Sequence, residues 1–313
     1  MMHGRRSWMA GTGLAMTGEG GMPATQITLA TATPGGGFPL YGGVVADVIN
    51  AVDPSLHVEC RNTKGSIENV PLLEQGAVDI GLVQGEVAYE AFAGIGRPKS
   101  ALKIVTAMYS TAGMFVVRGD SPAHAIGDLK DKPVAFGARG SGLVILARYV
   151  LDGMGLDIER DFAALYLDRA GDGPAMVMDG RAAALWGGGV GWPGFTNLAE
   201  KGGRFIAPNA EEATQIRAKH AFLKPLTVPA GSYPGQDTAI ASVGSWSFIL
   251  ARPDLPDETG YRLAKALHQG EAQLGAKLDQ AKETTAANTA AAAPDPAFIQ
   301  PGVARYLHEI GAL

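Results

Sequence analysis

Residues 27–51 read ITLATATPGGGFPLYGGVVADVINA. A short apolar run, Ile27–Thr31, meets a turn with three consecutive glycines, and apolar residues near a 3.6 period follow from Tyr41 to Ala51. That order predicts a strand, a tight turn and a helix. Two further stretches repeat the construction. Leu56–Arg61 leads through Asn62-Thr63-Lys64-Gly65-Ser66 into Ile67–Gln75, and Pro133–Phe136 leads through Gly137-Ala138-Arg139-Gly140-Ser141-Gly142 into Leu143–Met154. Strand and helix in repeated alternation predict sheets of parallel strands covered by helices, an α/β fold.

The remaining strand candidates are Ile80–Val83, Leu102–Met108, Gly113–Val117, Phe162–Leu167, Ala183–Trp186, Arg204–Ile206 and Val243–Leu250. Further helices are expected at Gly173–Asp179, Ala210–His220 and Asp257–Lys277. A length of 313 residues suits two domains. The C-terminal helices have no strands left to cover and are expected to pack back on the first unit, with the chain crossing between lobes at Tyr109–Val117 and Val243–Arg252. We therefore expect one lobe from residues 27–113 plus 246–313 and a second from 114–245. Glu283–Pro296 reads as a helix end followed by a surface connection.

Composition narrows the function. Apolar residues make up 46% and charged residues 18%, which allows a sizeable core. A net charge of −5 lacks the basic field that a general nucleic-acid binder needs. Cys60, the single cysteine, excludes an internal disulfide and a zinc site built on paired thiols, and the six histidines are scattered. No nucleophile–base pair or metal spacing is present, so neither an enzyme nor a cofactor is expected. In residues 1–26, Arg5-Arg6 precede a short apolar stretch, Trp8–Met16, broken by Gly11 and Gly13. This reads as a weak export signal or an unstructured arm.

Chemistry concentrates in the glycine turns. A helix start leaves unpaired N–H groups and a partial positive charge, and glycine lets a ligand approach them closely. A dinucleotide fingerprint fails because Leu40 stands where its third glycine belongs, and Gly137–Gly142 lacks the Lys-Ser/Thr of a phosphate loop. One such turn alone is explained by chain geometry; three, carrying Thr, Ser, Lys and Arg, point to an anion site. The candidate ligand residues are Gly36, Gly37, Tyr41, Lys64, Ser66, Asn69, Gln84, Arg139, Ser141, Gly142 and Trp192. Ser66 is either a helix cap or a ligand donor, and Asn69, one helical step on, can face the same mouth. Gln84 either meets a ligand or satisfies backbone. Lys64 and Arg139 are the nearest cations, one per lobe, and each is either a ligand contact or a solvated charge; Arg139 has the geometry to hold a carboxylate by two N–H bonds. Tyr41 and Trp192 offer flat pocket walls, whereas Trp186 and Trp246 read as core. Asp168 and Asp172 lie in a Gly-flanked loop and read as solvated.

These stretches also resemble the TAXI family of solute-binding proteins that serve tripartite (TRAP) transporters. The likeness runs through Thr31–Gly36, Thr63–Asn69, Leu72–Ile80, Leu82–Gly85 and Gly137–Gly142. It continues through Leu185-Trp186, Gly191–Phe195, Pro229–Asp237 and Pro301–Tyr306. Relatives usually read Gly-Gly-Thr-Tyr-Tyr at the first turn, where this chain has Gly37-Phe38-Pro39. They usually carry His before the terminal Pro-Gly, where this chain has Gln300, a difference expected to matter for packing. The resemblance implies a two-lobed, periplasmic-binding-protein-like (type II) clamshell, each lobe a mostly parallel sheet. It implies a periplasmic receptor that closes on a small carboxylate or amino-acid-like solute and passes it to TRAP membrane subunits. A cytosolic sensor built on the same clamshell is the alternative.

Overall fold

The computed structural model of the chain describes Met1 and residues 24–313. The export signal expected in residues 1–26 falls, apart from its ends, outside the described residues.

The first unit is built from β1 (Thr25–Ala30), α1 (Gly37–Val52), β2 (Leu56–Arg61), α2 (Ser66–Glu74), β3 (Ile80–Val83), α3 (Gly85–Ala93) and β4 (Lys103–Ala112). Met114–Val117 forms β5, and the second unit continues with β6 (Pro133–Ala138), α4 (Gly142–Gly153), α5 (Ile158–Asp161) and β7 (Ala163–Leu167). It is completed by α6 (Gly173–Met178), β8 (Ala184–Gly187), α7 (Pro193–Ala199), β9 (Arg204–Ile206) and α8 (Ala210–Lys219). The chain then returns through β10 (Lys224–Val228) and β11 (Ile240–Ala251) to helices α9 (Asp257–Gln269), α10 (Glu271–Lys277), α11 (Ala286–Ala292) and α12 (Pro301–Glu309).

Two sheets result, one ordered β10-β11-β3-β1-β2 with β4 also on β11, the other β7-β6-β8-β5-β9. All four residues of β3, Ile-Gly-Leu-Val, are buried, as a strand covered on both faces requires. The C-terminal helices pack on the first sheet: Leu263, Leu267, Leu274, Val303 and Leu307 share a core with Ile27, Leu29 and Ile80. Gln300 caps α12 by accepting from the Val303 N–H at 3.0 Å and donates to Leu255 O, which is a packing role.

Four expectations change. The sheets are mixed rather than mostly parallel: β1 pairs in parallel with β2 and β3, and β6 with β7 and β8, but β4, β5, β9, β10 and β11 pair antiparallel. The cause is one reversed strand in each sheet: β11, antiparallel to β3, β4 and β10, and β5, antiparallel to β8 and β9, both lie at the passages between lobes and run against the strands made by strand-helix-strand crossovers. Strand β10, which the sequence reading missed within the expected second lobe, pairs with β11 in the first sheet. Helix α3 was also missed; its short run holds buried Val87, Ala88, Ala91 and Phe92 on one face. Finally, Glu283–Pro296 is not a surface connection. Thr284 Oγ1 donates to Met108 O at 2.7 Å, and Thr289 Oγ1 accepts from the Ala107 N–H at 3.1 Å, tying α11 to β4.

The crossings lie side by side. Gly113 separates β4 from β5; its N–H donates to Val243 O at 3.0 Å, and Ser242 Oγ donates back to Gly113 O at 2.6 Å. Strand β4 pairs with Gly244–Ala251 of β11 within the first sheet, so the segment that leads through Gly113 into β5 lies against the start of β11.

Candidate functional site

Four helix N-termini open on one cleft between the sheets. Those of α1, α2 and α3 come from the first unit and that of α4 from the second; Gly36, Gly37, Ser66, Gln84, Ser141 and Gly142 all line the cleft. Three of the four lack a side-chain cap. Gly36, Gly65 and Gln84, which precede α1, α2 and α3, supply no side-chain acceptor to the helix they open. Only α4 is capped, by Ser141 Oγ accepting from the Leu143 N–H at 3.1 Å.

Close approach of the two units depends on glycine. A Cβ on Gly35, whose φ is +81°, would stand 3.0 Å from Gly171 Cα, and one on Gly140 would stand 2.7 Å from Lys64 O. The Ile67 N–H donates to Gly140 O at 3.3 Å across the gap. Trp192 closes one wall, with Cδ1 3.3 Å from where a Cβ on Gly37 would sit.

Eight of the eleven expected residues line the cleft: Gly36, Gly37, Lys64, Ser66, Gln84, Ser141, Gly142 and Trp192. Ser66 is neither cap nor free donor alone. As the first residue of α2 its Oγ accepts from the Gln84 N–H at 3.0 Å, which leaves its own hydrogen for the cleft. Gln84 uses its backbone in that bond, while its Nε2 is buried without a partner in the protein. Lys64 is exposed and is the one cation among the described lining residues.

Three expected contacts belong elsewhere. Tyr41 is fully buried, its hydroxyl 2.9 Å from Thr284 Oγ1 and its ring edge-on to Tyr109, because the apolar face of α1 turns to the sheet and carries it inward. Asn69 is also fully buried. Its Nδ2 donates to Thr31 O and Leu82 O, each at 2.8 Å, and its Oδ1 accepts from Thr63 Oγ1 at 2.7 Å, so both amide hydrogens are spent on backbone and none is left for a ligand. Arg139 is exposed and lays its guanidinium over the Tyr166 ring at 4.4 Å, a cation–π contact on the outside of the turn.

The sequence reading missed Thr33, Tyr109, Thr111, Gly188 and Gln280, which also line the cleft. Tyr109 and Thr111 sit on crossing strand β4, whose alternation marks two inward residues without saying what they face. Gln280 comes from a single helical turn, Asp279–Glu283, and is 4% exposed with Nε2 unpartnered. No Asp or Glu lines the cleft among the described residues. Just behind it, Glu86 in the first turn of α3 is fully buried. Burial raises its carboxyl from the ordinary 4.5 to about 7, against the opposing hydrogen bond that Ser245 Oγ donates at 2.6 Å.

Helix N-termini, hydroxyls and Lys64, with no carboxylate among the described lining residues, give the cleft an electropositive lining. Trp192, Phe38, Tyr109 and Leu143 add apolar surface around it.

Comparison with known proteins agrees with this architecture. The sequence model of the NMT1-like family matches residues 29–311. Among solved structures, the chain is similar to MatC from Rhodopseudomonas palustris with bound malate, at 11% identity and a TM-score of 0.57 over 91% of this chain and 95% of that one. A periplasmic transporter structure matches at 14% identity and 0.55, covering 92% and 94%. An ancestral arginine-binding protein bound to arginine matches at 14% and 0.50, covering 81% and 97%. At these identities the likeness is one of fold: two α/β lobes about a central cleft.

Proposed function

The chain belongs to the NMT1-like family, and from that premise we propose that it is an extracytoplasmic solute receptor of the TAXI type. In this reading it captures a small carboxylate or amino-acid-like anion by lobe closure and passes it to the membrane subunits of a TRAP transporter. The observation that carries the reading is the meeting of four helix N-termini, drawn from both lobes, at one cleft free of acidic side chains. Each terminus favours a negative charge by about 0.3–1 kcal/mol beyond its hydrogen bonds. Lys64, Ser66, Gln84 and Ser141 are the proposed polar contacts, with Gly36, Gly37 and Gly142 giving backbone access and Trp192 a flat wall.

Closure follows from the connection between lobes. A solute touching α2 and α4 together binds the closed arrangement better than an open one and shifts the population by that difference. Gly113 and the start of β11 beside it are the proposed hinge. The proposed role involves binding without turnover, and no residue is assigned to bond making or breaking.

The test is to purify the protein from its native host, release any bound solute by unfolding and identify it by mass spectrometry, then titrate it back by calorimetry. A small carboxylate that rebinds unchanged is the expected result. Consumption of the solute would replace the receptor with an enzyme. Recovery of the receptor in the cytosolic fraction would favour the sensor over the transporter component.

A further inference from the structure

Trp192 meets a different lobe with each of its rings. The six-membered ring packs within its own lobe, against Gly187 and Gly194, where a Cβ on either glycine would collide with it. The pyrrole edge turns to the other lobe. Its Cδ1 and Nε1 lie 3.3 Å and 4.0 Å from the Cβ position of Gly37, the first residue of α1. Tyr109 reaches the same residue from β4, its hydroxyl oxygen 3.8 Å from that position.

Both side chains line the cleft while being only 4% and 5% exposed. Among the described residues neither the Trp192 indole N–H nor the Tyr109 hydroxyl has a hydrogen-bond partner in the protein, and burial pushes the phenol up so that it keeps its proton. Helix α1 leaves donors at the same point. The Gly36 N–H is spent on Thr33 O at 3.2 Å and Pro39 has no N–H, so the groups left without an acceptor are those of Gly37 and Phe38. An indole and a backbone N–H can only donate. With Lys64 as the lining cation and no carboxylate among the described lining residues, nothing there compensates an ammonium.

We propose that Trp192 and Tyr109 determine specificity: the Trp192 indole N–H from one lobe and the Tyr109 hydroxyl from the other donate to a carboxylate of the solute at the start of α1, and a cationic group is refused there. The proposal rests on the carboxylate reading above and assigns it to two side chains. Because they come from opposite lobes, the group they recognise also favours the closed arrangement.

The experiment titrates the full chain, uniformly 15N-labelled, with butanoate, succinate and butylamine while the tryptophan indole N–H resonances are followed. Loss of one signal in Trp192→Phe identifies that of Trp192. Trp186, whose indole N–H already donates to Leu143 O at 2.8 Å, is the internal control. Saturation with an acid that binds is expected to shift the Trp192 signal well beyond the Trp186 signal, and butylamine to move neither. Tyr109→Phe, which removes only a hydroxyl and keeps the ring, is expected to bind the same acid at least about tenfold more weakly by calorimetry, as befits a lost hydrogen bond to a charged group. A Trp192 signal that stays in place at saturation, or unchanged affinity in Tyr109→Phe, would overturn the assignment and leave the carboxylate reading standing. Tighter binding of butylamine than of either acid, or no binding by both acids, would bring down the two together.

Discussion

Gly140 of one lobe and Lys64 of the other meet without room for a side chain: a Cβ on Gly140 would stand 2.7 Å from the Lys64 carbonyl oxygen and 2.8 Å from Lys64 Cβ. The first of these is backbone, so one loop must move away to accept a methyl group. Gly140 does not occupy the left-handed region, which makes alanine a clean probe of closure rather than of backbone strain. We predict that Gly140→Ala lowers solute affinity by about tenfold or more, with little change in melting temperature, because it penalises only the closed arrangement. Calorimetry and thermal unfolding separate the two; unchanged affinity would mean that these loops need not touch when solute binds.

Ser66 and Asn69 share a helix but not a role. Asn69→Ala deletes two buried hydrogen bonds, to Thr31 O and Leu82 O, and a half-buried one from Thr63 Oγ1; Thr31 O keeps Thr63 Oγ1 as a donor, whereas Leu82 O loses the side-chain donor that Asn69 supplied. A loss on the order of 2–4 kcal/mol in stability is expected, read by urea denaturation, with affinity per folded molecule nearly unchanged. Ser66→Ala removes both the acceptor for the Gln84 N–H and a donor to the cleft. It should lose about 1–2 kcal/mol in stability and, unlike Asn69→Ala, affinity as well.

The two cations should behave oppositely. Arg139→Ala forfeits a cation–π contact worth about 0.5–1 kcal/mol and is expected to leave solute affinity within about twofold, since the guanidinium turns away from the cleft. Lys64→Ala is expected to weaken binding and flatten its dependence on salt, because Lys64 is the lining cation and is exposed to screening. Equal losses in both variants would contradict this placement.

Glu86 predicts a pH profile. Its carboxyl is raised from 4.5 to about 7 by burial, Glu90 adding to the shift and Ser245 opposing it. Below pH 4.5 the group is protonated in both folded and unfolded chains and contributes no difference. Between 4.5 and 7 the unfolded chain releases the proton while the folded chain retains it, so stability falls as pH rises and then levels off above 7. The full effect is on the order of 3 kcal/mol at about 1.4 kcal/mol per pH unit. Glu86→Gln should remove this component and be the more stable protein at pH 8, as measured by urea denaturation at pH 5 and pH 8. An identical pH difference in the variant would assign it to other groups.

The sequence shows the parts of the site that are local and conceals those made by topology. Strand, glycine turn and helix lie within about twenty residues of one another, so the turns at Gly35–Gly37, Lys64–Ser66 and Gly140–Gly142 are readable without a structure. Helix α3 escapes because Gly85–Ala93 is short and follows a strand with no polar turn between them, although Glu86 in its first turn is a helix-start signal. Direction is also hidden. Arg139 and Lys64 occupy equivalent turns, yet Tyr166 draws one side chain outward. Tyr41 and Asn69 point inward because the sheet beneath needs an aromatic and a hydrogen-bonding strut. Gln280 reaches the cleft from nearly two hundred residues beyond Gln84 in the chain, and only the docking of the C-terminal helices on β4 brings it there.

The most direct test follows backbone amide resonances in a uniformly 15N-labelled protein as a bound carboxylate is titrated in. The account predicts that the largest shifts fall on Gly37, Ser66, Gly85 and Gly142, which open the four helices in both lobes. Saturating binding that leaves those four amides in place and moves others on an outer face would contradict it.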